Sequence, residues 1–261
     1  MDLGGNNVKW KIKRIAIDIV IIIIISFISI SLTNTSLVNA GNMEEETPIY
    51  CVDTENKDIC LTFDVNWAEK DYLESILNIL DKYNVKGTFF VMGGWVNYSE
   101  DNVNKLKAID EGGHEIGNHS YMHPSFTKIT QDKMREELQK TDDVIEKYTG
   151  KRPKVFRFPS GDYNKNALMS VRKMGYSVIQ WSSDSVDWKE LGAKAEYDRV
   201  MKGVKPGAIL LFHNNAKYTP GNLEKIIPEL QSQGYTFKTV SQVIYFNDYN
   251  IDKEGIQHKN N

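Results

Sequence analysis

The sequence predicts an α/β fold, a single domain of parallel strands joined by helical crossovers, wound either as an open sheet or as a closed barrel. Strand-like and helix-like segments alternate without a break from residue 59 to residue 244. Five polar residues, Asp64, His119, Arg157, Asp184 and His213, stand at or just after the ends of different apolar runs. That is where both parallel architectures place their ligands. The glycine-rich GxGxxG turn of the dinucleotide-binding version is missing.

The elements follow in order. The run ICLTFDV (59–65) is apolar and β-branched, and YLESILNILDKY (72–83) repeats its apolar residues at helical spacing. GTFFVMG (87–93) is the next strand, NVNKLKAIDEG (102–112) the next helix, and HEIGNHS (114–120) the third strand. The long helical segment DKMREELQKTDDVIEKYTG (132–150) leads to KVFRFPSG (154–161), and ALMSVRKMG (167–175) leads to YSVIQWSSD (176–184). YDRVMKGV (197–204), GAILLFHNN (207–215), LEKIIPELQSQG (223–234) and YTFKTVSQVI (235–244) complete the alternation. Gly112, Gly150, Gly175 and Gly234 stand at helix ends, where a left-handed cap is wanted.

A chain of 261 residues with 41% hydrophobic and 26% charged residues buries a sizeable core and is neither disordered nor a multi-span membrane protein. Its net charge of -3 gives no sign of a nucleic-acid binder. Residues 1–40 differ from the rest: Lys9, Lys11, Lys13 and Arg14 precede the apolar run IAIDIVIIIIISFISISL, and Val38-Asn39-Ala40 ends it with small or modest residues. This is an export signal, either cleaved after Ala40 or retained as a membrane anchor, and it is the chain's one expected tie to a membrane. A linker (41–48) follows, then the folded domain (49–246) and a loose polar tail (247–261). Outside the cytosol Cys51 and Cys60 are free to pair. A two-residue turn at Glu55-Asn56 sets them opposite each other, and two buried thiols are the other reading.

The candidate chemistry lies in short motifs. His119 and His123, four apart in GHEIGNHSYMHP, suit zinc or another divalent transition metal if they converge, whereas His114 reads as structural. Arg157 in RFPSGDYN has the fork that orients a carboxylate. WSSDSVDW brings Asp184, Asp187, Trp181 and Trp188 together, and ILLFHNN ends on His213, a general acid if a carboxylate holds it.

In this order TFDVNW, HSYMH, RFPSG, DSVDW and LFH resemble the motifs of the polysaccharide deacetylases, carbohydrate esterase family four, with the NodB-homology domain. The resemblance runs from about Lys57 to Ile244. It implies a distorted (β/α) barrel of about seven parallel strands. It further implies a hydrolase that removes the N-acetyl group of amino sugars with the help of a divalent metal ion, zinc by expectation. By the same resemblance Asp64 is the general base, His119 and His123 bind the metal, and the backbone N–H of Ser160 supports the oxyanion. His213 protonates the leaving amine with Asp187 tuning it, Arg157 holds Asp64, and Trp188 and Leu211 wall the acetyl methyl.

One departure stands out. Family members carry a second aspartate directly after the base, as a metal ligand, and here that position is Val65. Asn66 or Glu69 fills the gap, or water does, or the domain has lost its metal and serves as a wall-binding or assembly protein. TFDVNW also resembles exported deacetylases of spore formers linked to the spore cortex, which implies peptidoglycan as the glycan partner. Trp67, Trp95, Tyr121, Tyr163, Trp181 and Tyr218 are the aromatics available to stack on sugars, about half of them expected in the core.

Overall fold

The structure is a computed structural model that describes residues 47–260, so the export segment and the linker up to residue 46 lie outside the described residues. The elements are β1 (Cys51–Val52), β2 (Asp58–Val65), α1 (Leu73–Lys82), β3 (Thr88–Val91), α2 (Gly93–Val96), α3 (Glu100–Glu111), β4 (Glu115–Asn118) and α4 (Gln131–Thr149). They continue with β5 (Val155–Phe156), α5 (Lys165–Lys173), β6 (Ser177–Val178), β7 (Ser183–Asp184), α6 (Ala193–Lys202), β8 (Ile209–His213) and α7 (Thr219–Ser232). The last are β9 (Thr236–Phe237), α8 (Val240–Val243), β10 (Tyr249–Ile251) and β11 (Ile256–Lys259).

Seven parallel strands in the order β6-β5-β4-β3-β2-β8-β7 curl into a half-barrel, and β9 pairs with the start of β2. The expected distorted barrel is therefore present, open between β6 and β7, with an isolated bridge from Ile49 to Ile179 beside the opening. The central strand shows why the core forms. Ile59, Leu61, Phe63 and Val65 of β2 point outward into a cluster with Leu73, Ile76 and Leu80 of α1 and Leu223, Ile226 and Ile227 of α7. Cys60 points inward with Phe90, Val155, Ile179 and Ile209. A strand buried on both faces reads as one continuous apolar run, and the period of two sorts its residues.

Helix ends obey local rules. Ser99, Thr130 and Asn164 accept from the backbone N–H groups of Asn102, Lys133 and Ala167 at the starts of α3, α4 and α5. Gly150, Gly175 and Gly234 are left-handed as expected, but Gly112 is not, because Gly113 takes the positive φ one residue later. Pro228 inside α7 has no N–H for the carbonyl of Glu224, and the Tyr83 hydroxyl donates to that carbonyl instead at 3.3 Å.

Cys51 and Cys60 are free, buried thiols, which bears out the second of the two readings of the pair. Two expectations are corrected. No hairpin joins the strands of the two cysteines. β1 pairs in parallel with β11, and its other edge meets β8's approach, where Val52 N–H donates to the Gly207 carbonyl at 3.1 Å. The tail is not loose: β10 and β11 form an antiparallel hairpin that joins β1 in a three-stranded sheet. Its alternation is too short and too polar to announce strands, and the pairing is supplied by β1.

Candidate active site

Strand register brings the polar residues together. Asp64 sits beside His213 across the β2–β8 pair, and Val91 of β3 lies opposite Asn118 of β4. Asn118 in turn lies opposite Phe156 of β5, so His119 and Arg157, each the next residue along, leave the sheet at one level. Together with loop residues they line a cavity of about 420 Å³ that includes Asp64, Asn66, His119, His123, Trp188 and His213. Ser160, Trp181, Asp184, Leu211 and Asn215 complete the wall. Arg157 and Asp187 stand directly behind it, both fully buried. A cavity of this size, with several convergent polar groups, fits a small organic group or part of a sugar.

Asp64 is held from one side by Arg157, whose Nη1 donates to Oδ1 at 2.9 Å. The rest of that guanidinium is spent on the carbonyls of Gln180 and Ile179 and on the face of Phe90, 4.1 Å away. Burial alone pushes the Asp64 carboxyl up, but the basic groups around it, His119, Arg157 and His213, bring it below the usual carboxylate value. Asp64 is therefore an anion at neutral pH with Oδ2 free, 3.6 Å from His119 Nε2.

The two histidines near Asp64 stay neutral. His119 Nδ1 lies 3.0 Å from the carbonyl of Arg157, which only accepts, so Nδ1 carries the proton and Nε2 keeps its lone pair. Burial lowers His119 to about 4 and also lowers His123, whose ring centroid is 5.0 Å from that of His119. Neutral, adjacent and with one nitrogen free, the pair suits a divalent transition metal. Among the described residues no third His, Cys, Asp or Glu joins them in a metal-holding cluster. Val65 is fully buried in the outer core. Glu69 lines a separate cavity with Trp67, Asp71 and Lys105. Asn66 does face the cavity, and its buried Oδ1 has no partner.

His213 is set the opposite way. Asp187 Oδ1 is 2.7 Å from His213 Nδ1, its Oδ2 accepts from the His213 backbone N–H at 2.9 Å, and Thr219 Oγ1 donates to the same oxygen at 2.6 Å. Burial works to lower His213, yet the hydrogen bond and charge of Asp187 outweigh it and raise the imidazole above its ordinary value. A turn in strained backbone delivers Asp187. Val186 is left-handed at φ 54°, costly for a β-branched residue, and Asp184 Oδ1 accepts its N–H at 2.8 Å. Ser120, His123 and Ser160 share this positive φ, so three loops of the rim carry such residues, the one after β4 twice. Strain of about 1–3 kcal/mol per residue persists where surrounding contacts over-determine the loop.

All nine residues expected at the site lie in or directly behind this cavity. Asn214, Asn215 and Thr219 were not singled out by sequence. Asn214 and Asn215 directly follow His213 in the quoted run ILLFHNN, and Thr219 opens α7 two residues before a glycine, so position alone marked them. His114 is structural as expected, accepting from the Gly87 N–H at 3.1 Å and lowered to about 4 by burial. Of the candidate stacking aromatics, Trp181 lines the cavity, Trp95 is core and Trp67 faces the neighbouring cavity.

Comparison with known proteins agrees with this geometry. Residues 52–179 match the family model described as polysaccharide deacetylase. The chain is 36% identical over 207 residues to the peptidoglycan-N-acetylmuramic acid deacetylase PdaA of Bacillus subtilis, covering 78% of this chain and 77% of that one. It is 35% identical to a peptidoglycan-N-acetylglucosamine deacetylase of Bacillus cereus over 70% of this chain and 66% of the other. Among solved structures it is similar to BA3943 of Bacillus anthracis, a CE4 family pseudoenzyme, with a TM-score of 0.71 and 33% identity over 83% of this chain and 73% of that one. A mutant of BA3943 with restored enzymatic activity matches with a TM-score of 0.70.

Proposed function

Since the chain belongs to the polysaccharide deacetylases, carbohydrate esterase family four, whose enzymes are generally metal-dependent hydrolases of N-acetyl groups, we propose that it deacetylates amino sugars of peptidoglycan outside the cytoplasm. The observation that carries this reading is the pair of oppositely set groups on one cavity, Asp64 held as an anion by Arg157 and His213 with its protonated form favoured by Asp187. Amide hydrolysis needs one group to take a proton from water and another to give one to the departing amine.

His119 and His123 would hold the metal, zinc by the preference of imidazole ligands. When bound, such an ion polarises the acetyl carbonyl and acidifies water. Asp64 accepts the proton of the attacking water, and Arg157 keeps the carboxylate ionised and aimed. Ser160 lines the cavity and supplies a backbone N–H for the tetrahedral oxyanion. His213 passes its Nε2 proton to the nitrogen as the C–N bond breaks, leaving acetate and a free amino sugar. Asp187 steadies the imidazolium until then. Leu211 and Trp188, the latter half exposed, bound the space for the acetyl methyl.

The similarity to PdaA supports N-acetylmuramic acid as the sugar, and the resemblance of TFDVNW to proteins of spore formers supports the cortex as the setting. The leader-like residues 1–40 support export, secreted or anchored. A second reading, a glycan-binding or assembly protein whose metal site has decayed, draws on Val65 in the core and on the similarity to BA3943. Incubation of the zinc-loaded protein with purified peptidoglycan separates the two. Acetate release that disappears in His213→Ala supports the enzyme, and saturable glycan binding without acetate supports the binding protein.

A further inference from the structure

We propose that the side-chain oxygen of Asn66 is the third protein ligand of the metal, held in place from the acid side of the cavity by Asn214. This rests on the reading above that His119 and His123 bind a divalent ion. Val65 stands where relatives carry the ligand, but its side chain is committed to the outer core with Leu61 and Phe63. One residue on, the period of two brings the chain back to the face of Asp64.

There Asn66 Oδ1 is buried, lines the cavity and accepts no hydrogen bond from the protein. A buried carbonyl oxygen left unpaired costs about 1–3 kcal/mol, a penalty that coordination removes. The backbone beneath it is fixed. Asn66 N–H donates to Asn214 Oδ1 at 3.0 Å, and Asn214 Nδ2 donates back to the Asn66 carbonyl at 3.2 Å. Asn214 Nδ2 also donates to Asp71 Oδ1 at 3.1 Å, and Lys105 anchors Asp71 Oδ2 at 2.9 Å. Asn214 is fully buried and directly follows His213. One amide thus locks the exit of β2 to the exit of β8.

Asn215 Oδ1 is the other unpartnered amide oxygen on the cavity wall. It leaves β8, one strand further from β4 and His119 than β2 in the sheet order, so the strand order favours Asn66 as the donor beside the imidazole pair. An amide oxygen is a neutral ligand and binds a divalent ion more weakly than a carboxylate, which sets the direction of the test.

Zinc affinity is measured calorimetrically on the folded wild type and on Asn66→Ala, Asn66→Asp, Asn214→Ala, Asn215→Ala and His119→Ala, each checked by circular dichroism. The expected result is a loss of about tenfold or more in Asn66→Ala, a smaller loss in Asn214→Ala, and no change in Asn215→Ala. Asn66→Asp is expected to gain about tenfold, which misfolding does not produce. Wild-type affinity in both Asn66 variants, with binding lost in His119→Ala, overturns the ligand role and leaves the histidine site standing. An equal loss in Asn215→Ala overturns the choice of Asn66. A wild type that binds no zinc overturns both this proposal and the metal-dependent reading.

Discussion

His119 and His213 face one cavity from either side of Asp64, and their surroundings shift their proton affinities in opposite directions. Both are removed from water, which by itself disfavours imidazolium. His119 offers its Nδ1 proton to a backbone carbonyl, a neutral partner, and burial prevails. His213 offers the same proton to the Asp187 carboxylate, and the charge prevails. A difference of one partner atom, amide oxygen or carboxylate oxygen, disfavours the charged form of one ring and favours it in the other, as the proposed ligand and acid roles require.

Asp64 serves both sides, and removing its charge gives the largest expected effect. Asp64→Asn lowers kcat by about 10³-fold or more, within the usual range for a general base, while zinc content by elemental analysis stays near that of the wild type. A parallel loss of metal assigns Asp64 to the ligand side instead. Next comes Asp187→Asn, which gives His213 an uncharged partner like that of His119. A fall of about 10²-fold in kcat is expected. Because Asp187 raises His213, its loss moves the alkaline limb of the rate profile to lower pH.

Arg157→Met tests the support rather than the chemistry. It leaves the buried Asp64 carboxylate unpaired, so urea melts at pH 7 are expected to show a loss of about 3–5 kcal/mol. The acid limb of activity moves to higher pH, because Arg157 helps to keep Asp64 below its usual value.

The smallest effect lies behind the acid side. Glu196 of α6 is buried, takes one hydrogen bond from Asn222 and leaves Oε1 unpartnered. Burial, and then the negative charge of Asp187, raise its carboxyl to about 7. A carboxyl raised on folding contributes stability that is fully present below about pH 4.5, its unfolded value, and is lost as pH climbs through 7. Glu196→Gln is therefore expected to match the wild type at pH 4 and to melt about 2–4 °C higher at pH 8, the shift that about 1 kcal/mol makes in a chain of this size. Equal melting temperatures at pH 8 remove Glu196 from this account.

How much of this the sequence disclosed depends on whether a residue's part is chemical or geometric. Asp64, His119, Arg157 and His213 are legible because a polar residue at the end of an apolar run is costly unless it is used. Asp187 was legible only with its motif around it, since its delivery depends on the left-handed Val186. Asn214 acts through hydrogen bonds to a loop backbone and to Asp71, and Thr219 through one to a buried carboxylate, and neither periodicity nor spacing encodes such partners. Val65 was read as a vacancy, yet the two-residue period already turns it away from Asp64 and into the core. The cysteine hairpin failed because it counted residues between two strands without asking which other edges competed for them.

The β1–β11 pair has a mechanical consequence. The two strands run in parallel, and the chain enters the folded body through one and leaves through the other. Tension on the two ends of that body pulls β1 backward and β11 forward, so their hydrogen bonds, among them Tyr50 N–H to the Gly255 carbonyl and Asp53 N–H to the Gln257 carbonyl, take the load side by side in shear. Force applied at the ends loads this clasp together with the Ile49 bridge to Ile179, and the rim that carries Asp64 and His213 lies at the other end of β8 from Gly207.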